Sequence, residues 1–96
     1  FATLIADPDI QRLDVRTVAE YSEEHIPGSI NINVLDEQFA VIADSTLQKD
    51  KPIALYCRSG KRSKKAATIL SRKGYKVYDL DKGFIGWKEA GKETEK

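Results

Sequence analysis

One stretch of the chain reads Ile53-Ala54-Leu55-Tyr56-Cys57-Arg58-Ser59-Gly60-Lys61-Arg62-Ser63. Its first four residues form a continuous apolar run after Pro52, which is typical of a central strand buried on both faces. The residues that follow predict a helix over 63–73 that ends at Gly74. Its apolar stripe consists of Ala66, Ala67, Ile69 and Leu70. A strand followed closely by a helix indicates a βα unit, in which residues 57–62 form the connection.

The rest of the chain alternates between short apolar runs and amphipathic stretches. Thr17 and Glu20 have the spacing of a capping box, which predicts a short helix running to residue 24. Further helices are predicted over 36–43, with Phe39 and Ile42 facing inward, and over 83–90. Short strands are predicted at 13–15, 30–32 and 77–78. This alternation predicts an α/β fold with a mainly parallel central sheet and helices on both faces.

Length and composition limit the classes of protein that the chain can be. Its 96 residues, 41% hydrophobic and 32% charged, suit one globular domain over 1–96. We expect the polar residues 92–96 to form a frayed tail. No apolar run approaches the ~20 residues of a membrane-spanning helix, and we expect no membrane partner.

The net charge of +1 conceals a strong asymmetry along the chain. Residues 1–56 carry ten acids and four bases, whereas residues 57–96 carry twelve bases and five acids. A positive field of this kind favours a small anion or an acidic partner. Nucleic acid is not the expected partner, because the overall charge is nearly balanced and no aromatic-basic platform accompanies the bases.

Cys57 is the chain's single cysteine, so an internal disulfide, a CxxC redox pair and a cysteine-based zinc site are all excluded. It is either an inert buried thiol or a working one. The surrounding loop favours the working thiol. Gly60 permits a tight turn whose backbone N–H groups form an anion-binding nest, and the following helix contributes its positive end. Arg58, Lys61 and Arg62 add charge, so we expect the pKa of Cys57 to lie below that of a free cysteine.

Three motifs in this order resemble those of the rhodanese family, specifically its single-domain sulfurtransferases, over nearly the whole chain. The amino-terminal motif is Leu13-Asp14-Val15-Arg16, then Glu20-Tyr21, then residues 25–32. The active-site motif is Tyr56-Cys57-Arg58-Ser59-Gly60-Lys61-Arg62-Ser63, and the carboxy-terminal motif is Gly83-Phe84-Ile85-Gly86-Trp87.

The resemblance implies a two-step reaction that needs no metal and no cofactor. Cys57 takes the outer sulfur of a small anionic donor such as thiosulfate, and passes it to cyanide, a thiol or an acceptor protein. The persulfide-binding loop would be Arg58, Ser59, Gly60, Lys61, Arg62 and Ser63. The chain departs from the family in having Lys82-Gly83 where members often have Gly-Gly, which predicts an altered turn near the pocket. It also starts later than a typical member, so we expect its amino-terminal edge to be missing or shortened.

Residues outside the loop receive supporting roles. We expect Asp14 to pair with a loop cation, Arg62 above all, or to cap the next turn, and Arg16 to act similarly. His25 is interpreted as a structural residue at the end of a helix rather than a general base, and Ser63 as the N-cap of the long helix rather than a catalytic hydroxyl. Phe84 and Trp87 are interpreted as core or pocket wall.

Two other functions compete with sulfur transfer. Cysteine phosphatases and arsenate reductases look similar, but five residues separate Cys and Arg in their loop, whereas four separate Cys57 and Arg62 here. A non-catalytic binding module would usually lack the cysteine. We expect a monomer. A lone thiol favours the cytoplasm, and a chain beginning at Phe1 leaves an exported form open.

Overall fold

The computed structural model describes residues 7–80 and 82–96. Four strands form one sheet in the order β2-β1-β3-β4, and every neighbouring pair is parallel. The strands are β1 (Gln11–Asp14), β2 (Ile30–Asn31), β3 (Ile53–Tyr56) and β4 (Val77–Asp79). The helices are α1 (Val18–Glu23), α2 (Phe39–Thr46), α3 (Lys61–Arg72) and α4 (Gly83–Glu89). The predicted α/β fold with a parallel sheet is confirmed.

The core lies on both faces of the sheet because residues alternate between faces along a strand. Leu55 and Cys57 point to the side covered by α2 and α3, where they pack with Phe39, Ala66 and Leu70. The other face buries Ala54 and Tyr56 against Ile26 and Phe84, the latter from α4. Because β3 is covered from both sides, all four of its residues are buried, as the continuous apolar run predicted.

Three of the predicted helix boundaries were wrong by two residues or more, and one of them is the end of α2, which lies at Thr46 rather than at residue 43. Helix α2 begins at Phe39 rather than at residue 36, because the Asp36 side chain accepts the N–H of Gln38 and forms a turn before the helix. Helix α3 begins at Lys61 rather than at residue 63, because Gly60 has a φ of 100° and is the N-cap. Within α2, Ile42 is 37% exposed, contrary to prediction, and Ala43 occupies the inward position.

The carboxy-terminal residues are docked, so the prediction of a frayed tail was wrong. His25 and Glu95 exchange backbone hydrogen bonds of 2.8 and 2.9 Å. The Glu95 side chain also accepts the N–H of Gly28 at 3.1 Å, and Trp87 donates its ring N–H to the carbonyl of Glu93 at 2.7 Å. The expected shortening of the amino-terminal edge concerns residues 1–6, which lie outside the described residues.

Candidate active site around Cys57

Cys57 lies at the carboxyl end of the central strand β3, where ligand sites form in open parallel sheets. It is 1% exposed, and its Sγ accepts the backbone N–H of Gly60 at 3.0 Å. The positive φ of Gly60 turns the chain back over the sulfur directly before α3 begins. The predicted tight turn and nest are therefore confirmed, and the sulfur sits at the amino-terminal end of a 12-residue helix.

The pKa of the Cys57 thiol results from two opposing effects. Burial raises it, but hydrogen bonds from the Ser63 hydroxyl and from the backbone N–H groups of Ser63, Gly60 and Ser59 outweigh burial, so the pKa is lowered. This is the direction that the sequence predicts, and among the effects that lower the pKa the hydrogen bonds are larger than the loop cations. The Ser63 hydroxyl has one proton and also lies 3.0 Å from the Gly60 carbonyl oxygen. This proton cannot serve both acceptors, so the backbone amides are the constant stabilisers of the thiolate.

Ser63 is buried in the first turn of α3, close to the sulfur, and the prediction that it is the N-cap was wrong. Among the other loop side chains, Arg58, Ser59 and Lys61 are exposed. Arg58 and Lys61 therefore place their charges in solvent at the rim of the loop.

Arg62 is held by an ion pair with Glu20 rather than with Asp14, which corrects the prediction. Its two terminal nitrogens donate to the two carboxylate oxygens of Glu20 at 2.8 and 3.0 Å. The same carboxylate caps α1 by accepting the N–H of Thr17 at 3.1 Å. The Arg62 guanidinium is the largest cause that lowers the pKa of Glu20 to about 2. This bidentate pair joins the start of α1 to the start of α3.

The amino end of α4 holds the first two residues of the loop through backbone bonds. Phe84 donates its N–H to the carbonyl of Cys57 at 2.7 Å, and Ile85 donates to the carbonyl of Arg58 at 3.1 Å. The approach requires a glycine at position 83, which has a φ of 63° and where an added Cβ would lie 2.4 Å from the Arg58 carbonyl oxygen. Gly83 supplies this turn while Lys82 has ordinary helical backbone angles, so a lysine at position 82, where the resemblance often places a glycine, leaves the close approach possible.

Asp14 is fully buried, and its side-chain partners are Arg16, two residues along the chain, and Tyr56 on the neighbouring strand β3. Its carboxylate accepts three bonds from the Arg16 side chain, at 2.7–3.1 Å, and one from the Tyr56 hydroxyl at 2.9 Å. Burial alone lowers the pKa of Arg16, but its bonds to Asp14 outweigh this effect and raise it. Burial and the Asp14 charge also raise the pKa of Tyr56. The expected pairing of Asp14 with a loop cation was therefore wrong, and the alternative, that Asp14 caps the next turn, is confirmed, because its carboxylate also accepts the backbone N–H of Arg16 at 2.9 Å.

Arg16 connects this buried network to the loop through Phe84. Its guanidinium lies 4.3 Å from the centre of the Phe84 ring, a cation–π distance, and it donates to the Glu24 carbonyl at 2.7 Å. Since the Phe84 amide holds the Cys57 carbonyl, Asp14 and Arg16 support the loop from beneath α4 rather than by contacting its side chains.

The structure agrees with the sequence interpretations of His25, Phe84 and Trp87. His25 is buried, stacks on Tyr21 with 3.7 Å between ring centres, and has Nδ1 2.8 Å from the Tyr21 carbonyl, as expected of a structural residue. Phe84 is buried and Trp87 is half-buried against the same core cluster, which confirms both as core or pocket wall.

Sequence reasoning missed two contributors, the loop partner Glu20 and the amides of Phe84 and Ile85. Glu20 was noted only in a capping box and in the amino-terminal motif, and no local pattern reveals a partner 42 residues away. The glycine and aromatic of the carboxy-terminal motif did give a signal for a close backbone approach.

Within residues 7–80 and 82–96, no group of three or more His, Cys, Asp or Glu side chains is arranged to hold a metal ion. The helices of the same residues include none with the length and apolar character needed to cross a membrane.

Comparison with known proteins identifies the family of this arrangement. A model of the rhodanese-like domain matches residues 1–90. The chain is 34% identical to a sulfurtransferase of Allochromatium vinosum over 84 residues, which cover 86% of this chain and 76% of that protein. It is 36% identical to the thiosulfate sulfurtransferase GlpE of Coxiella burnetii over 87 residues, which cover 88% of this chain and 78% of the relative.

A solved structure gives the same result at the level of the fold. The crystal structure of a rhodanese-related protein from Thermoplasma volcanium superimposes with a TM-score of 0.77 and 32% sequence identity. The match covers 91% of this chain and 84% of that chain. These similarities support sulfur transfer as the general class of activity.

Proposed function

The chain belongs to the rhodanese-like family, and we propose that it moves a sulfane sulfur from thiosulfate or a similar donor to a thiophilic acceptor through a persulfide on Cys57. The observation that carries the proposal is the environment of the Cys57 sulfur. It is a buried thiol with a lowered pKa, held 3.0 Å from a backbone N–H at the start of a helix. Such a nest stabilises a small sulfur anion.

In the donor step, the Cys57 thiolate attacks the outer sulfur of thiosulfate. A bond forms between Sγ and that sulfur, the sulfur–sulfur bond of thiosulfate breaks, and its electron pair leaves with sulfite. The outer sulfur of the new persulfide carries a negative charge, and the backbone N–H groups of the loop stabilise this charge. Lowering the thiol's pKa increases the fraction of enzyme that can attack at neutral pH.

The exposed charges of Arg58 and Lys61 are assigned to donor capture. Thiosulfate is a dianion, and both side chains stand in solvent at the rim of the loop. Arg62 is assigned a structural role, because its guanidinium is engaged by Glu20. This division separates side chains that attract the donor from one that fixes the loop.

In the acceptor step, a thiolate or cyanide attacks the outer sulfur of the persulfide. The bond between Sγ and that sulfur breaks, its electron pair returns to Cys57 as a thiolate, and the acceptor leaves as a persulfide or as thiocyanate. The two half-reactions together are a ping-pong cycle that needs no outside oxidant.

Intact mass spectrometry after incubation with thiosulfate tests the proposal. We expect the protein to gain the mass of one sulfur atom on Cys57 and to lose it, as thiocyanate, when cyanide is added. Cys57→Ser should show neither step while keeping the melting temperature within a few degrees, since the two side chains have nearly the same size. Ser71→Ala, which removes an exposed hydroxyl from the far end of α3, serves as the control. A protein that folds but gains sulfur from neither thiosulfate nor polysulfide would be a non-catalytic binding module, and undiminished thiocyanate formation by Cys57→Ser would refute Cys57 as nucleophile.

A further inference from the structure

Residues 92–96 form a strap that ties α4 to the end of α1. On the α4 side, the ring N–H of Trp87 donates to the carbonyl of Glu93 at 2.7 Å. On the α1 side, the hydroxyl of Thr94 donates to the carboxylate of Glu24. The first amides of α4 hold the loop that follows β3, so the strap supports the same helix from its other end.

The strap is also attached through Glu95, which pairs with His25 directly after α1. The backbones of these two residues exchange two hydrogen bonds, at 2.8 and 2.9 Å, in an isolated antiparallel bridge. One carboxylate oxygen of Glu95 accepts the N–H of Gly28 at 3.1 Å and lies 3.2 Å from Nε2 of His25. The His25 side chain is 6% exposed and that of Glu95 is 51% exposed, so a buried ring meets a carboxylate at the protein surface.

The protonation of His25 decides whether this side-chain contact is attractive. Nδ1 of the ring lies 2.8 Å from the backbone carbonyl of Tyr21. Because a carbonyl oxygen can only accept, Nδ1 carries a proton in both the neutral and the charged ring. In the neutral ring, Nε2 therefore has a lone pair that faces the carboxylate oxygen of Glu95, and the contact is repulsive. In the charged ring, Nε2 donates to that oxygen in a charge-assisted hydrogen bond.

The charges that surround the ring come from four elements. They are Glu24 of α1 with its partner Lys88 of α4, Arg12 of β1, and Glu95 and Lys96 of the strap, while Tyr21 of α1 stacks on the ring at 3.7 Å. The N–H of Gly28 lowers the pKa of Glu95, and His25 and Arg12 lower it further against the effect of burial.

The two carboxylates stay charged while the histidine titrates. The pKa of Glu24 is lowered by its hydrogen bonds from Lys88 and Thr94, and that of Glu95 is lowered as well, so both are ionised above about pH 5. His25 is the chain's single histidine, and histidine is the side chain whose charge ordinarily changes between about pH 5 and 8. A change of pH in this range therefore acts on the contact between His25 and Glu95 through the ring.

From this geometry we propose that His25 and Glu95 form a pH-sensitive clasp, which fastens the strap when His25 is protonated and loosens it when His25 is neutral. Proton uptake at Nε2 adds a charge-assisted hydrogen bond to the two backbone bonds of the bridge. Loss of this proton leaves the backbone bonds alone, with a lone pair facing the carboxylate. The inference goes beyond the proposed function and does not depend on it, because it concerns the attachment of the strap and not the reaction at Cys57.

Amide hydrogen exchange, followed by NMR at pH 5.5 and pH 7.5, tests the clasp directly, because the N–H groups of His25 and Glu95 are the donors of the bridge. Exchange rates are converted to protection factors, which removes the intrinsic effect of pH on exchange. The N–H of Val15, which donates to the Tyr56 carbonyl in the centre of the sheet, serves as the reporter of global unfolding.

Two variants separate the clasp from other effects of pH. Glu95→Gln removes the charge and keeps an oxygen that can accept the N–H of Gly28. Its amide can also accept from the charged ring of His25 or donate to the neutral ring, so it suits both states. The matched control is Glu93→Gln, which removes an exposed carboxylate from the same strap and leaves the carbonyl that accepts the ring N–H of Trp87.

In the wild type and in Glu93→Gln, we expect the protection factors of the two bridge amides to be about 2- to 5-fold higher at pH 5.5 than at pH 7.5, from one partly exposed charge pair. The Val15 amide should change less. In Glu95→Gln the ratio between the two pH values should be close to one for the bridge amides. At 0.5 M salt the ratio in the wild type should shrink, because salt screens the pair.

Three results would each overturn the clasp. The first is a ratio close to one for the bridge amides of the wild type, which requires no variant to fold. The second is the same pH dependence in Glu95→Gln as in the wild type, which would place the titrating contact elsewhere. The third is an equal change at Val15 and at the bridge, which would show that pH acts on global unfolding and not on the strap.

Discussion

Glu20→Gln tests whether the ion pair with Arg62 holds the Cys57 loop. The substitution removes the charge that Arg62 faces and keeps a carbonyl oxygen at the position that accepts the N–H of Thr17. The cap of α1 is therefore largely retained, and the change is confined to the link between α1 and α3.

The magnitude follows from the pKa of Glu20, which Arg62 and, to a smaller extent, Thr17 lower from 4.5 to about 2. A pKa lowered by this amount corresponds to about 3 kcal/mol of unfolding free energy as an upper bound. Both side chains are about one-quarter exposed, at 25% and 27%, so solvent screening reduces the expected loss to about 1–2 kcal/mol. The depressed pKa makes this stabilisation complete above pH ~5, and it falls to about 40% of its neutral value at pH 3.

Urea unfolding of wild type, Glu20→Gln, Arg62→Gln and the double variant at pH 7, 5 and 3 provides the assay. We expect a coupling free energy of about 1 kcal/mol at pH 7 and a smaller one at pH 3. Glu37→Gln, which removes an exposed acid on the segment before α2, is the control and should change stability by less than ~0.5 kcal/mol. A coupling below ~0.3 kcal/mol, or one that does not weaken from pH 5 to pH 3, would refute the reasoning.

Three further predictions concern the loop. Gly83→Ala should destabilise the protein by about 2 kcal/mol or more and slow persulfide formation, because the new Cβ would lie 2.4 Å from the Arg58 carbonyl oxygen and the backbone angle disfavours alanine. Thermal unfolding measures the stability, and sulfur loading from thiosulfate measures the rate. If neither changes, α4 does not fix the loop. Ser63→Ala should raise the pKa of Cys57, seen as alkylation that requires higher pH; an unchanged profile would mean that the hydroxyl serves only Gly60. Arg58→Ala and Lys61→Ala should each raise KM for thiosulfate by about 3- to 10-fold with little change in melting temperature. High salt should reduce the difference in KM between each variant and the wild type. An unchanged KM in both variants would show that the loop amides alone capture the donor.

Much of the fold was predictable because its signals are local. The apolar run of β3, the capping box at Thr17 and the amphipathic α3 each depend on neighbouring residues. The exact starts of α2 and α3 were missed because a side-chain bond from Asp36 and the left-handed backbone of Gly60 decided them. Neither effect changes hydrophobic periodicity, on which the predicted boundaries relied.

The sequence by itself determined that Cys57 lies beside the nest, since Cys57, Gly60 and the start of α3 lie within a few residues and must be close in any βα unit. Only the tertiary structure decided which charges meet. Asp14 was a natural partner for Arg62, yet it is buried beside Arg16, two residues along the chain, and beside Tyr56 from the neighbouring strand. Four hydrogen bonds from these two side chains already satisfy its carboxylate, so Arg62 pairs with Glu20, which the packing of α1 brings within 2.8 Å. The physical reason is that backbone conformation follows from short-range sterics and periodicity, whereas an ion pair forms wherever packing brings opposite charges together at the lowest desolvation cost.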